Sequence, residues 1–376
     1  MTDLGPVAFY APLKSPDHPS PSGDRTMARL LLKALQAAGF SPDRASDLRT
    51  RDGRGDPAAQ GQIRDACLRE ADRLVTSYRR LAPECRPVLW FTYHVYYKAP
   101  DWIGPPVADA LGIPYVIAEG SRAGKRATGP WALGHRGAVL ALDRADVIFS
   151  MTANDRDALA RDRPAGQRIV DLPPFLDLSD RDAPISRTAA PDEPLRLLTV
   201  AMMRPGDKAA SYRILAAALA RIEDVSWTLE VVGDGEARPE IEALFAPLGP
   251  RVRFHGTREG GSLRAFYGNA DLFVWPAVNE AYGMVLLEAQ SAGIPVVAGD
   301  FGGVAAVMQD GRTGCLTAPG DAQAFADALG GLMADPTRRR SMGGAARLFV
   351  ESERTLAHAA IRLRESLCPL LGKSAA

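Results

Sequence analysis

The chain has 376 residues, 46% hydrophobic and 24% charged, which is enough for two α/β domains with separate cores. Lys and Arg number 45 and Asp and Glu 45, so no overall field favours nucleic acid or an anionic membrane as partner. No apolar run approaches the ~18 residues a spanning helix needs, no basic-then-apolar leader is read at the start, and the four cysteines (Cys67, Cys85, Cys315, Cys368) include no pair at metal-ligand spacing. Thiols in a reducing compartment, and hence a cytoplasmic protein, are expected. Peripheral attachment at the inner face of the cell membrane is the alternative.

In chain order, the first half alternates strands and helices. A short strand at 7–10 precedes a Pro- and Ser-rich loop at 14–23. Met27, Leu30, Leu31, Ala34, Leu35 and Ala38 recur with helical period, and Gly39 is placed to stop that helix. A long helix is predicted over 58–81, ending before Pro83. A strand at 88–93, a helix at 106–111 closed by Gly112 and a strand at 114–118 follow. Helix 133–145, strand 147–151, helix 154–160 and strand 169–172 complete this half. Repeated strand–helix units imply a parallel sheet with helices on both faces.

Residues 178–194 show no period but hold Asp180, Asp182, Asp192, Pro184, Pro191 and Pro194, which marks a linker. The boundaries are drawn at 1–178, 179–194, 195–353 and 354–376. The second half restarts with a strand at 195–201, and the loop after it (VAMMRPGDKAAS) holds Arg204 and Lys208.

Residues 271–297, DLFVWPAVNEAYGMVLLEAQSAGIPVV, carry the most specific signal. They read as strand, loop, helix, strand, with Glu280 in the loop and Glu288 eight residues on, inside the helix that Gly283 opens. A helix N-terminus offers unpaired N–H groups and a positive dipole end to a phosphate. Gly283, between Tyr282 and Met284, lets a ligand approach the backbone closely. A carboxylate accepts two hydroxyl hydrogen bonds, so Glu280 and Glu288 suit the diols of a sugar and a ribose. A nucleoside diphosphate sugar supplies all three groups.

The neighbouring motifs extend this pattern. WTLEVVGDG at 227–235, VRFHG at 252–256, Phe266 with Tyr267 and Ala270-Asp271, FGGVAAVMQDGRTG at 301–314 and Pro319-Gly320-Asp321 occur in order around it. From Leu195 to about Ala346 the chain resembles the donor-binding domain of family 4 glycosyltransferases of the GT-B fold. The resemblance implies two doubly wound, Rossmann-like α/β domains facing across a cleft, with the last helix crossing back onto the first domain. It implies transfer from a nucleotide sugar with retention of configuration, and neither a metal nor another cofactor. Lys208, with Arg204, would meet the leaving diphosphate. Glu280 would hold sugar hydroxyls and Glu288 the ribose. The nucleobase would lie by the turns holding Gly233, Gly256 and Thr257, as ligands do at strand ends in open α/β sheets. No protein base is called for, because a leaving phosphate oxygen can take the acceptor proton on the same face.

The first half matches less closely. Gly23 stands where the family has a glycine turn near the donor phosphates, with Asp24 in place of a second glycine. Where many relatives carry a histidine, this chain has Glu119-Gly120-Ser121, so Glu119 and Ser121 become acceptor-side candidates. His94, followed by Tyr96, Tyr97 and Lys98, is another. A basic stretch at 122–136, with Lys125, Arg126 and Trp131, is expected to be a solvated loop and helix face, the alternative being contact with anionic lipid or a lipid-diphosphate acceptor. Asp155-Arg156-Asp157 and Asp180-Arg181-Asp182 spell Asp-x-Asp, and no function is assigned to them. The acceptor is a glycan, glycolipid or small molecule, and cell-surface polysaccharide or glycolipid assembly is the family habit. A non-catalytic relative that binds nucleotide or glycan, or another GT-B enzyme such as a sugar-nucleotide epimerase, stays open as an alternative.

Overall fold

The computed structural model describes residues 3–20, 22–179, 193–222 and 225–372. The chain forms two compact units, one reaching to Pro173 and taking up the segment from Leu356 onward, the other spanning Pro174–Thr355. Most of the expected linker, 180–192, lies outside the described residues. No helix among the described residues is long and apolar enough to cross a membrane.

The first unit is built from β1 (Pro6–Tyr10), α1 (Gly23–Ala37), β2 (Ser41–Ser46), α2 (Pro57–Arg80), β3 (Leu89–Val95), α3 (Gly104–Leu111), β4 (Tyr115–Gly120), α4 (Ala132–Arg144), β5 (Val147–Ser150), α5 (Ala153–Arg161) and β6 (Arg168–Asp171). Its strands form one parallel sheet in the order β2-β1-β3-β4-β5-β6. Central strands of such a sheet are covered on both faces, so they read as apolar runs rather than alternating ones. β3, LWFTYHV, is buried throughout except at His94. Helix starts follow local chemistry: Ser22 accepts from the Arg25 N–H ahead of α1, and Asp56 accepts from the Ala58 and Ala59 N–H groups ahead of α2, with Pro57 in the first turn.

The second unit holds β7 (Leu195–Val200), α6 (Asp207–Leu219), β8 (Trp227–Val232), α7 (Arg238–Phe245), β9 (Val252–Phe254), α8 (Gly260–Asn269), β10 (Leu272–Trp275), α9 (Met284–Ser291), β11 (Val296–Gly299), β12 (Gly314–Thr317), α10 (Ala322–Ala334) and α11 (Pro336–Glu353). Its parallel sheet runs β12-β11-β10-β7-β8-β9. Both sheets therefore reverse strand order once, between β1 and β3 in the first and between β7 and β10 in the second.

The last helix, α12 (Leu356–Leu371), belongs to the first unit. It packs against α1, and Leu363 and Leu367 are fully buried there, each worth about 1.5–3 kcal/mol. Arg364 donates to the Ala38 carbonyl at 2.8 Å, answering an orphan acceptor at the end of α1. Arg362 donates to the Asp171 carbonyl at 3.1 Å, and Arg168 donates back to the Ser366 carbonyl at 3.2 Å.

Candidate active site

Open parallel sheets take ligands outside the carboxyl ends of the strands, where the strand order reverses. In the second unit the loops leaving the two strands at that point carry Lys208, in the first turn of α6, and Glu280, ahead of α9. The Lys208 ammonium meets the Glu280 carboxylate directly, with the two side chains 24% and 17% exposed. That leaves both within reach of a ligand, yet buried enough for their attraction to exceed that of a surface pair. The Trp275 indole N–H donates to Glu280 Oε2 at 3.2 Å, and the Lys208 ammonium lies 5.4 Å from the Trp275 ring centre.

The loop bearing Glu280 is held from two sides. The Val278 N–H donates to Ser211 Oγ and the Asn279 amide to Asp207 Oδ1, both at 2.9 Å, which ties it to α6. Ala277 and Asn279 adopt positive φ angles of 57° and 48°, a conformation that surrounding contacts must enforce. On the other side, a Cβ at Gly302 would stand 2.3 Å from the Glu280 carbonyl oxygen, so only glycine fits there.

Gly283 has φ 76° and stands directly before α9. Tyr282 and Met284 are buried on either side of it. No side chain among the described residues caps α9, whose Leu286 N–H donates back to the Gly283 carbonyl at 2.9 Å. Glu288, one turn further along, accepts from the Tyr267 hydroxyl at 2.8 Å. Tyr267 stacks on Phe273 of β10, which fixes that hydroxyl. Tyr267 falls within a motif legible in the sequence, but this role is not. An aromatic ring with a polar end, close before a buried strand, was the available signal.

The glycine turns brace the loop that leads to Lys208. Gly233 donates to the Gly256 carbonyl at 2.9 Å, and a Cβ on Gly233 would come within 1.9 Å of the Ala201 carbonyl oxygen. The Met203 N–H donates to the Asp234 carbonyl at 2.9 Å. Thr257 and Arg204 are exposed. Lys208, Glu280 and Gly283 come together, while the exposed Arg204 guanidinium has no carboxylate partner among the described residues.

The first unit gathers a second set at its own reversal point. Here His94 and Glu119, expected just past their strands, lie within β3 and β4, and both have positive φ, 65° and 64°. His94 Nδ1 is 3.2 Å from Asp24 Oδ1 and 3.6 Å from Glu119 Oε1. Burial pushes the His94 pKa down, but Glu119 and the hydrogen bond to Asp24 outweigh it, aided by Asp155, and raise it to about 9. Burial opposes ionisation of Asp24 too, yet His94 holds its carboxyl below the usual range. Glu119 is raised, first by burial and then by the negative charges of Asp24 and Asp155, against the pull of His94. Asp155, given no function from sequence, thus contributes to this cluster through its charge. Ser121 follows β4, its N–H donating to the Val95 carbonyl at 3.0 Å. A Cβ at Gly23 would meet nothing within 4 Å, so the protein's own packing does not demand glycine there.

A histidine whose folded pKa lies above its unfolded value stabilises the fold fully below about pH 6.5, and that contribution is lost as pH rises through about 9. NMR titration of the His94 ring protons, assigned with His94→Gln, should give a midpoint near 9. A midpoint at or below the free-imidazole value would contradict the carboxylate cluster.

Comparison with known proteins adds sequence and fold relatives. Residues 194–335 match the family model described as Glycosyl transferases group 1. The chain is 40% identical over 119 residues to sulfoquinovosyl transferase SQD2 of Arabidopsis thaliana, covering 31% of this chain and 23% of that protein. It is 35% identical over 216 residues to D-inositol 3-phosphate glycosyltransferase of Nocardia farcinica, covering 53% of this chain and 47% of that one. The matches thus span about half the length of these curated relatives or less. Among solved structures, sucrose-phosphate synthase from Thermosynechococcus elongatus superposes with a TM-score of 0.73 at 22% identity, over 98% of this chain and all of that one. Anabaena HepE, solved with UDP and glucose, gives 0.70 at 16% identity over 97% of this chain and all of that one.

Proposed function

Because the chain belongs to the group 1 glycosyltransferases, family 4, and has the GT-B fold, we propose that it moves a hexose-type sugar from a nucleoside diphosphate sugar to a hydroxyl acceptor, with retention of configuration. The observation that carries this reading is the Lys208–Glu280 pair at the strand-order reversal, beside the uncapped start of α9 and one turn from Glu288. UDP is the nucleotide favoured, since HepE was solved with it. The name of one sequence relative, D-inositol 3-phosphate glycosyltransferase, favours a small hydroxyl-bearing acceptor.

In this reaction the bond between the anomeric carbon and the diphosphate oxygen breaks, and the acceptor oxygen bonds to the same face. Negative charge grows on the leaving diphosphate, and a positive group fixed in place lowers the barrier most. Lys208 supplies that charge, and the N–H groups of α9 add to it. Glu280 then exchanges its hold on Lys208 for hydroxyls of the sugar, with Trp275 keeping its carboxylate in position. Glu288, oriented by Tyr267, receives the ribose diol. The acceptor proton passes to a leaving phosphate oxygen. His94 does not take it, because an imidazolium with a pKa of about 9 is already protonated at neutral pH. Its Nε2–H can instead donate to an acceptor oxygen.

Nucleotide binding tests this donor site. A ligand that binds only the native state raises the melting temperature. UDP should do so with and without EDTA, and the shift should vanish in Glu288→Ala. A UDP shift that survives in Glu288→Ala would remove that residue from the site.

A further inference from the structure

The basic stretch after β4 forms part of a built platform in the first unit. Tyr97 and Trp131 meet edge to face with ring centres 5.8 Å apart. The Arg126 guanidinium lies 5.3 Å from the Tyr97 centre and 5.0 Å from that of Trp131. The Lys98 ammonium lies 5.7 Å and 5.4 Å from the same two rings. Two cations therefore share one pair of rings, and neither has a carboxylate partner among the described residues. The ring faces offset only part of their mutual repulsion.

The same segment of chain holds donors without partners. Arg126 Nε is buried without a hydrogen-bond partner. Arg122, in the same segment, binds Asp143 at 2.8 Å through Nη1 and is only 11% exposed, yet its Nε and Nη2 are buried and unpartnered. Buried cationic N–H groups without acceptors are costly, and an anion satisfies them.

The rings are fixed before any ligand arrives. Gly55, with φ 75°, sits so close beneath Trp131 that a Cβ would come within 3.1 Å of the indole. The Gln60 side chain donates to the Pro130 carbonyl and accepts from the Gly134 N–H, at 2.8 and 2.9 Å. Buried Asp52 accepts from three successive backbone N–H groups and from Gln60, while its own N–H donates to the Lys98 carbonyl.

We propose that Arg126 and Lys98, held on the Tyr97–Trp131 platform, form a subsite for a phosphate group of the acceptor. A carboxylate is satisfied by one Arg fork, whereas a phosphate ester offers more charge and more acceptor oxygens, which suits several converging donors. Beside it, aromatic rings pack against the C–H face of a polyol or sugar. The assignment of this phosphate to the acceptor rests on the transferase reading; the anion site itself does not.

The test uses the full chain in two arms. Glycerol 3-phosphate is titrated by calorimetry, with acetate as the control anion. Co-sedimentation is measured with phosphatidylcholine vesicles, plain or containing phosphatidylglycerol. Phosphate binding should weaken about tenfold or more in the Arg126→Gln/Lys98→Gln double variant, with acetate failing to compete. Binding of glycerol 3-phosphate assigns a soluble phosphoester, and binding only of the anionic vesicles assigns a lipid headgroup. No binding in either arm, equal binding by the variant, or competition by acetate overturns the subsite. The UDP-induced melting shift is measured on the same proteins and should be the same in both. Its absence, with phosphate binding intact, would count against the transferase reading and leave the anion site standing.

Discussion

Lys208→Ala should lower the rate of sugar transfer by about 10²–10³-fold, with the fold intact. The loss should fall mainly on kcat, because the charge that Lys208 meets develops as the diphosphate leaves. Folding should suffer less. Without Lys208, Glu280 keeps its hydrogen bond from Trp275 and gains access to water, so about 1–3 kcal/mol is at stake. For a unit of this size that is about 2–4 °C of melting temperature per kcal/mol. Glu280→Ala should reduce transfer as severely, since it removes the sugar contact and frees Lys208 from its fixed position. Both variants are checked by nucleotide release from the donor and by thermal melting. Full activity in either would remove this pair from the active site.

Gly233→Ala should destabilise the second unit by about 3 kcal/mol or more and abolish nucleotide binding. Gly233 has φ 145°, and its added Cβ would stand 1.9 Å from the Ala201 carbonyl. The obstacle is backbone, so no rotamer change relieves it, and the loop that carries Lys208 must move away from the glycine turn. Gly320 is the control. Its φ of 77° also disfavours a side chain, but a Cβ there meets nothing within 4 Å, so Gly320→Ala should cost only about 1–2 kcal/mol. If the two variants melt at the same temperature, the close contact at Gly233 does not hold the loop.

These effects depend on contacts that one-dimensional patterns reveal unevenly. Buried central strands were legible because burial on both faces leaves an apolar run, as in β3 and in β10, LFVW. β2, SPDRAS, was not read. It is an edge strand, mostly exposed, with no apolar signature, and its conformation comes from pairing with β1, Pro6 against Ser41 through Phe9 against Arg44. α8 was missed for another reason: it opens with Gly260-Gly261, poor helix formers.

At the site, the residue types were legible and their partners were not. Glu280 and Glu288 stood out as carboxylates around a helix start, and Lys208 as a cation after a strand. That Lys208 meets Glu280 follows from β7 and β10 being neighbours in the sheet, which a separation of 72 positions along the chain conceals. The same holds for His94 and Glu119. Each looked like a residue beyond a strand end, because a polar side chain after an apolar run reads as the start of a loop. Both strands instead continue through a positive-φ residue, and the adjacency of β3 and β4 brings the two together. Asp155 stood out only as part of an Asp-x-Asp triplet with no assigned function; its place after β5 is what puts its charge near that pair.

Sugar transfer from a nucleotide donor is the activity proposed for this chain. Its most direct test is to follow the anomeric protons by NMR while the purified chain acts on UDP-glucose or GDP-mannose with a phosphate-bearing acceptor. One donor signal should be lost and a product signal with the donor's own anomeric configuration should grow, both changes being absent with Lys208→Ala. A product of inverted configuration, or no cleavage of any nucleotide sugar, would contradict it.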